Sequence, residues 1–132
     1  MVEERSLGFM ALGAAKATSV PSLIVTTSGS ATLNLLPAVA EAYYAAVPLL
    51  VITADRPSSL HGVGANQSMS QEAIYAPFLR WFFQFPDRLT LNDLGFYLSQ
   101  LDQALYKSMG PVSGPVHLNM PFQEPLYDAN AL

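Results

Sequence analysis

The apolar run Pro48-Leu49-Leu50-Val51-Ile52 passes straight into Thr53-Ala54-Asp55-Arg56-Pro57. No polar residue interrupts the run, which is the pattern of a strand buried on both faces of a parallel sheet. Ligands of open α/β sheets sit outside the carboxyl ends of such strands, and here that end carries an Asp-Arg pair. The guanidinium of Arg56 offers a planar fork suited to a carboxylate or a phosphate. The spacing equally allows a turn in which both charges are solvated.

Only 12% of the 132 residues are charged, against about a quarter in ordinary soluble domains. Between Ala17 and Ala54 the only charged residue is Glu41. A segment that apolar must be covered by other elements or by another chain. The length is that of one domain, and it suffices for a core. The net charge of −4, with no basic cluster, speaks against nucleic acid as a partner. The chain has no cysteine, which excludes disulfides and thiolate metal sites. No apolar run reaches the roughly 18 residues of a membrane span. Met1-Val2-Glu3-Glu4 is acidic where a signal peptide is basic. The first structural element begins almost at once, which reads as a piece of something longer.

Helical spacing of Leu7, Met10, Ala11, Ala14 and Ala15 predicts a helix over residues 5–17. Gly8 and Gly13 weaken it, by roughly 1 kcal/mol each, and suit close approach to a neighbour. Residues 22–27 read as a buried strand. Ser28-Gly29-Ser30 then turns into a helix over 31–46, with Ser28 or Ser30 as N-cap and a kink or restart at Pro37. A strand over 49–53 is followed by a Gly-, Ser- and Asn-rich loop over 56–70 and a short helix over 71–75. Residues 80–85 form a further strand. An amphipathic helix spans 91–108, with Leu94, Tyr97, Leu98, Leu101 and Leu105 on one stripe and Thr90 or Asn92 as cap. Residues 115–120 are the last strand, and the chain is extended from Pro121. The alternation predicts an α/β fold, a three-layer α/β/α arrangement on a parallel sheet. The domain covers residues 1–122, and residues 123–132 form a tail or linker. Polar groups fall at two strand ends, Thr27-Ser28-Gly29 and Ala54-Asp55-Arg56. Glu4 falls at a third if residues 1–3 close a strand.

Four segments together resemble one family: Glu3-Glu4-Arg5-Ser6-Leu7-Gly8 with Ala11-Leu12-Gly13; Thr27-Ser28-Gly29-Ser30-Ala31 with Asn34 and Pro37; Thr53-Ala54-Asp55-Arg56-Pro57 with Gly64-Ala65-Asn66-Gln67; and Gly114-Pro115-Val116-His117-Leu118-Asn119-Met120-Pro121-Phe122 with Glu124-Pro125-Leu126. The chain resembles the pyrimidine-binding domain of thiamine-diphosphate enzymes over nearly its whole length. It is most similar to the branch of 2-succinyl-5-enolpyruvyl-6-hydroxy-3-cyclohexene-1-carboxylate synthases of menaquinone and phylloquinone biosynthesis. The Gly-Pro-Val-His stretch is widespread among thiamine-diphosphate enzymes. The pairing of Thr-Ala-Asp-Arg-Pro with Gly-Ala-Asn-Gln is particular to the synthase branch.

The resemblance implies a reaction in which 2-oxoglutarate loses carbon dioxide and the remaining carbanion adds to isochorismate, with the cofactor supplying the carbon chemistry. It implies that Glu4 hydrogen-bonds the aminopyrimidine and favours its imino tautomer, with Glu3 standing where an aspartate is usual. Partial desolvation at a sheet mouth would suit Glu4 to share a proton. The alternative is a solvated Glu3–Glu4 pair at a helix N-terminus. The resemblance further implies that Ser28, Gly29 and Ser30 pack the pyrimidine side and that Arg56 holds a substrate carboxylate. Gln67, with Asn66, lies beside cofactor and substrate. Helix capping and an ordinary polar loop are the alternatives for these. His117 reads as structural, His61 takes no assigned role, and Trp81, Phe82, Phe83 and Phe85 read as core or subunit contacts.

An upstream strand ending in a Ser-Arg pair belongs to the family pattern, as does a later domain that binds the diphosphate through Mg2+ with a Gly-Asp-Gly…Asn signature. Neither occurs in this sequence. The resemblance therefore implies a partnership with the diphosphate-binding domain of another subunit in a homo-oligomer. The isolated chain is expected to be inactive, and the parent protein to work in the cytoplasm or a plastid. Two other functions fit less of the sequence: a thiamine-diphosphate enzyme of the acetohydroxyacid synthase or 2-oxoacid decarboxylase type, and a non-catalytic docking module.

Overall fold

The computed structural model describes residues 3–123. Four parallel strands, β1 (Ser22–Thr26), β2 (Leu49–Asp55), β3 (Trp81–Gln84) and β4 (Pro115–Pro121), form one sheet in the order β1-β2-β4-β3. Helices α1 (Glu4–Thr18), α2 (Ser30–Leu33), α3 (Leu36–Tyr44) and α4 (Leu94–Ser108) complete the α/β fold. The chain moves along the sheet in one direction from β1 to β2 and in the other from β3 to β4. Crossovers between parallel strands are right-handed, so this reversal puts the connecting helices on opposite faces.

The core divides accordingly. On one face Leu7 and Ala11 of α1 and Leu35 and Val39 of the α2–α3 segment pack on Ile24, Val51 and Tyr75. On the other, Tyr97, Leu101 and Ala104 of α4 pack on Leu50, Ile52, Phe83, Val116 and Leu118. The side chains of β2 therefore alternate between the two helical layers, as a central strand requires. α1 can approach α3 closely because residue 8 is glycine: a Cβ there would meet that of Ala38 at 2.9 Å. Gly13 has open space instead, so no close approach explains it.

Several local expectations change. The helix expected over 31–46 is broken between Leu33 and Leu36, and α3 restarts with Pro37 in its first turn. Residues 72–77 form turns, not a short helix. Neither Ser28 nor Ser30 caps α2: its N-cap is Gly29, without a side-chain cap bond. Asp93 is the N-cap of α4, and Thr90 precedes a 3-10 turn over Leu91–Asp93, its hydroxyl bonded to Asp93. The sheet-facing stripe of α4 runs through Tyr97, Leu101, Ala104 and Ser108, while Leu94, Leu98 and Leu105 are exposed. β1 is buried on one face only. α4 covers β2, β3 and β4 but not β1, so Leu23 and Val25 remain 58% and 61% exposed at the sheet edge. Residues 1–2, read as the tail of a strand, and most of the expected tail at 123–132 lie outside the described residues.

Candidate functional site

The polar residues that sequence reading assigned to strand ends do lie at the carboxyl edge of the sheet. β1 ends at Thr26, and Thr27, Ser28 and Gly29 form the turn into α2. Gly29 has φ 78°, a left-handed value that glycine adopts without strain. A Cβ at Gly29 would also stand 3.0 Å from Gln67 Cγ. The loop from Gly64 to Gln71 lies over this turn. Ser28 Oγ donates to the carbonyl of Gln67 at 3.0 Å. Gln67 Nε2 donates to Thr27 Oγ1 and to the Ser28 carbonyl, each at 3.1 Å. Ser28, Gly29 and Gln67 are thus brought together by direct contacts, although Ser28 and Gly29 are buried and Gln67 is exposed.

Arg56 follows the last residue of β2 and is half-buried. With Asn66, Ala65, Leu60 and Phe122 it lines a cavity of about 370 Å³. Asp55 is not solvated, as the alternative reading allowed; it is 3% exposed. Its Oδ1 accepts from Arg56 N at 2.8 Å, its Oδ2 accepts from Asn119 Nδ2 at 2.6 Å, and His61 Nε2 stands 3.3 Å from Oδ1. A buried carboxylate needs such donors. They fix the Asp55 carboxylate immediately before Arg56. His61, to which sequence reading gave no role, therefore meets Asp55 and also the Arg56 carbonyl at 3.1 Å.

Glu3 and Glu4 sit in different surroundings. Glu3 is the N-cap of α1: its carboxylate accepts from Arg5 N at 2.9 Å and Ser6 N at 2.7 Å. Hydrogen bonds from Ser6, then from Arg5, hold that carboxyl below the usual range. Glu4 is the first residue of the helix and is half-buried. Its Oε2 is 3.4 Å from Asn34 Nδ2, a long contact at the break between α2 and α3. Glu4 thus bonds at the α2–α3 break, apart from the bonds that join Gln67 to Thr27 and Ser28.

Sequence reading missed the polar layer beneath these groups. Asn119 on β4 is fully buried. Its Nδ2 donates to Asp55 and, at 2.8 Å, to Gln84 Oε1, while its Oδ1 accepts from Thr53 Oγ1 and from Gln71 Nε2. Thr53 has one proton, which Asn119 takes, so the 2.7 Å contact between Thr53 Oγ1 and His117 Nε2 has the histidine as donor. His117 Nδ1 is then an unprotonated acceptor, buried without a partner. Burial depresses the His117 pKa to about 3, in keeping with that neutral tautomer. The parallel register, which sets Thr53 beside Asn119 and Val51 beside His117, builds this layer. No cluster of His, Asp and Glu able to hold a metal occurs among the described residues. Among them, too, no helix is long and apolar enough to cross a membrane.

Comparison with known proteins places the sequence in a family. Residues 1–74 match the N-terminal TPP binding domain of thiamine pyrophosphate enzymes. A 2-succinyl-5-enolpyruvyl-6-hydroxy-3-cyclohexene-1-carboxylate synthase of Chlorobaculum tepidum is 48% identical over 124 residues, which is 94% of this chain and 21% of that protein. The synthase of Rubrobacter xylanophilus is 49% identical over 93% of the chain, again 21% of the relative. Protein PHYLLO, chloroplastic, of Arabidopsis thaliana is 48% identical over 94% of the chain and 7% of its own length. The chain thus spans about a fifth or less of the curated relatives it matches. With a parallel α/β sheet and its polar groups at the carboxyl edge, the chain belongs to the thiamine pyrophosphate enzyme family, as its N-terminal TPP binding domain.

Proposed function

We propose that this chain is the pyrimidine-binding part of a synthase that decarboxylates 2-oxoglutarate and joins the remaining unit to isochorismate, in menaquinone or phylloquinone biosynthesis. The identity to synthases over almost the whole chain supports this reading. The observation that carries it is the loop from Gly64 to Gln71, which reaches both the Ser28–Gly29 turn and the Arg56 cavity. Residues 1–122 act as the domain and 123–132 as its linker.

The residues present fit thiamine diphosphate. Glu4 is a half-buried carboxylate whose one described partner is the distant Asn34 amide. It can accept a hydrogen bond and share a proton with an aminopyrimidine. Gly29 leaves its backbone open where a side chain would collide with Gln67. Ser28 and Gly29 form the floor of the pyrimidine side, and the Gln67 amide can donate and accept at its border. Arg56 provides a fork for a substrate carboxylate, with Asn66 across the same cavity. Thiamine diphosphate, when bound, supplies the cleavage and formation of carbon–carbon bonds. The diphosphate and its Mg2+ are held by another domain, from a second subunit of a homo-oligomer. The parent protein works in the cytoplasm, or in a plastid as the name of the Arabidopsis relative suggests for that protein.

The test is an assay of the longer protein containing this chain, supplied with thiamine diphosphate, Mg2+, 2-oxoglutarate and isochorismate. The reading predicts carbon dioxide release coupled to formation of the succinyl adduct. Turnover of pyruvate in place of 2-oxoglutarate would point to a decarboxylase or acetohydroxyacid synthase specificity. Absence of all turnover with cofactor excluded would point to a docking module.

A further inference from the structure

Gln71 is fully buried and bridges three separate elements. Its Oε1 accepts from the Gly29 N–H at 2.8 Å, in the turn after β1. Its Nε2 donates to the Ala54 carbonyl at 2.9 Å, two residues before Arg56 on β2, and to Asn119 Oδ1 at 2.8 Å on β4. The direction of every bond in this set follows from Asp55. Its Oδ2 receives the Asn119 Nδ2, which leaves Asn119 Oδ1 as an acceptor and requires Nε2 of Gln71 on that side. A flipped Gln71 amide would set donor against donor at Gly29 and acceptor against acceptor at Ala54. The amide therefore has one orientation, and both of its hydrogens are used. A fully buried side chain has no surface to offer a ligand, so any effect of Gln71 on the site must pass through the groups it holds.

We infer that Gln71 is a positioning residue whose single amide sets the Gly29 turn, on the cofactor side, against the Ala54–Arg56 junction, on the substrate side. The inference rests on the functional reading above for what those two sides bind. Loss of the amide frees both junctions at once. A displacement of about 1 Å at a reacting group is enough to lower turnover by about a hundredfold. Gln67, four positions earlier, holds the same turn from its exposed side but has no bond to β2.

The test uses Gln71→Met and Gln71→Glu in the longer protein that contains this chain. Gln71→Met keeps the volume and removes all three bonds. It is expected to weaken thiamine diphosphate binding and to raise the KM for 2-oxoglutarate together, each about tenfold or more. It should also speed hydrogen exchange at the Gly29 amide by a similar factor. A folded Gln71→Met protein in which neither constant moves, or only one does, overturns the inference. Gln71→Glu carries the test if Gln71→Met does not fold. Its ionised form keeps an acceptor for Gly29 but has no donor for Ala54, whereas its protonated form regains one donor. Both constants should therefore recover as pH falls from about 10 to about 7, a window that spans the pKa of about 8–9 documented for buried glutamates, with no such recovery in the wild type. A Gln71→Glu protein whose constants ignore pH also overturns the inference. If the wild type does not bind thiamine diphosphate, the functional reading fails, and hydrogen exchange at Gly29 still decides whether Gln71 is the clamp.

Discussion

Asn119 Nδ2 donates to Asp55 Oδ2 at 2.6 Å across the β2–β4 pair, and both side chains are buried. Asp55 sits directly before Arg56, so this bond links the last strand to the arginine. Asn119→Leu keeps the approximate shape but leaves the Asp55 carboxylate, Thr53 and Gln71 each short of a partner. Leaving a buried polar group without its partner costs about 1–3 kcal/mol, and more for a charged group. A fall of that order is expected in the urea unfolding free energy. A change within about 0.5 kcal/mol, the range of an ordinary surface substitution, would contradict the role given to this network.

His117 makes stability depend on pH. Its pKa is about 3 in the fold, against an ordinary value of 6.5. Between these values the unfolded chain binds a proton that the folded chain does not. Stability from this group is therefore fully present above about 6.5 and declines as pH falls toward 3. The slope is up to about 1.4 kcal/mol per pH unit. Denaturant titrations from neutral to acid pH should show it, and His117→Leu should flatten it. A slope unchanged by His117→Leu would assign acid sensitivity to other groups.

Arg56→Lys keeps the charge and loses the fork. In the longer protein it should raise the KM for a carboxylate substrate while leaving thiamine diphosphate affinity in place. Calorimetry and steady-state kinetics separate the two. Weakened cofactor binding with unchanged substrate kinetics would make Arg56 a cofactor or structural residue.

Among the described residues β1 has a strand neighbour on one side only, and the outward-facing Leu23 and Val25 are exposed. Unpaired edges with apolar side chains associate. The 132-residue chain by itself should sediment as an oligomer or aggregate, and Leu23→Lys with Val25→Lys should shift it toward monomer. A monomeric wild-type chain at high concentration would show that the edge is protected.

The strand β2 and its polar exit were legible because an unbroken apolar run followed by Asp-Arg is a local signal. The resemblance assigned Ser28, Gly29 and Gln67 to one site but not the contacts between them, since no periodicity links residues so far apart. Gln71 was read as the start of a helix, and its burial was invisible because it arises from three elements meeting. Asn119 and His117 share an alternation with apolar neighbours and looked like strand residues, which they are. Their partners were set by the β2–β4 register, which sequence spacing does not encode. The stripe on α4 was right at Tyr97 and Leu101 but not at Leu94, Leu98 and Leu105, which are as apolar as the residues that face the sheet. The open groove beside them shows that helical periodicity alone did not tell the covered face from the uncovered one.

The central claim is that Glu4 activates thiamine diphosphate bound to the domain. Its most direct test is hydrogen–deuterium exchange at the thiazolium carbon of the cofactor, measured in the longer protein with and without Glu4→Gln. The substitution keeps size and hydrogen bonding but removes the carboxylate. Exchange is expected to slow by about 10²–10⁴-fold, the scale of lost general acid–base catalysis. Exchange at the wild-type rate, with cofactor bound, would contradict the claim.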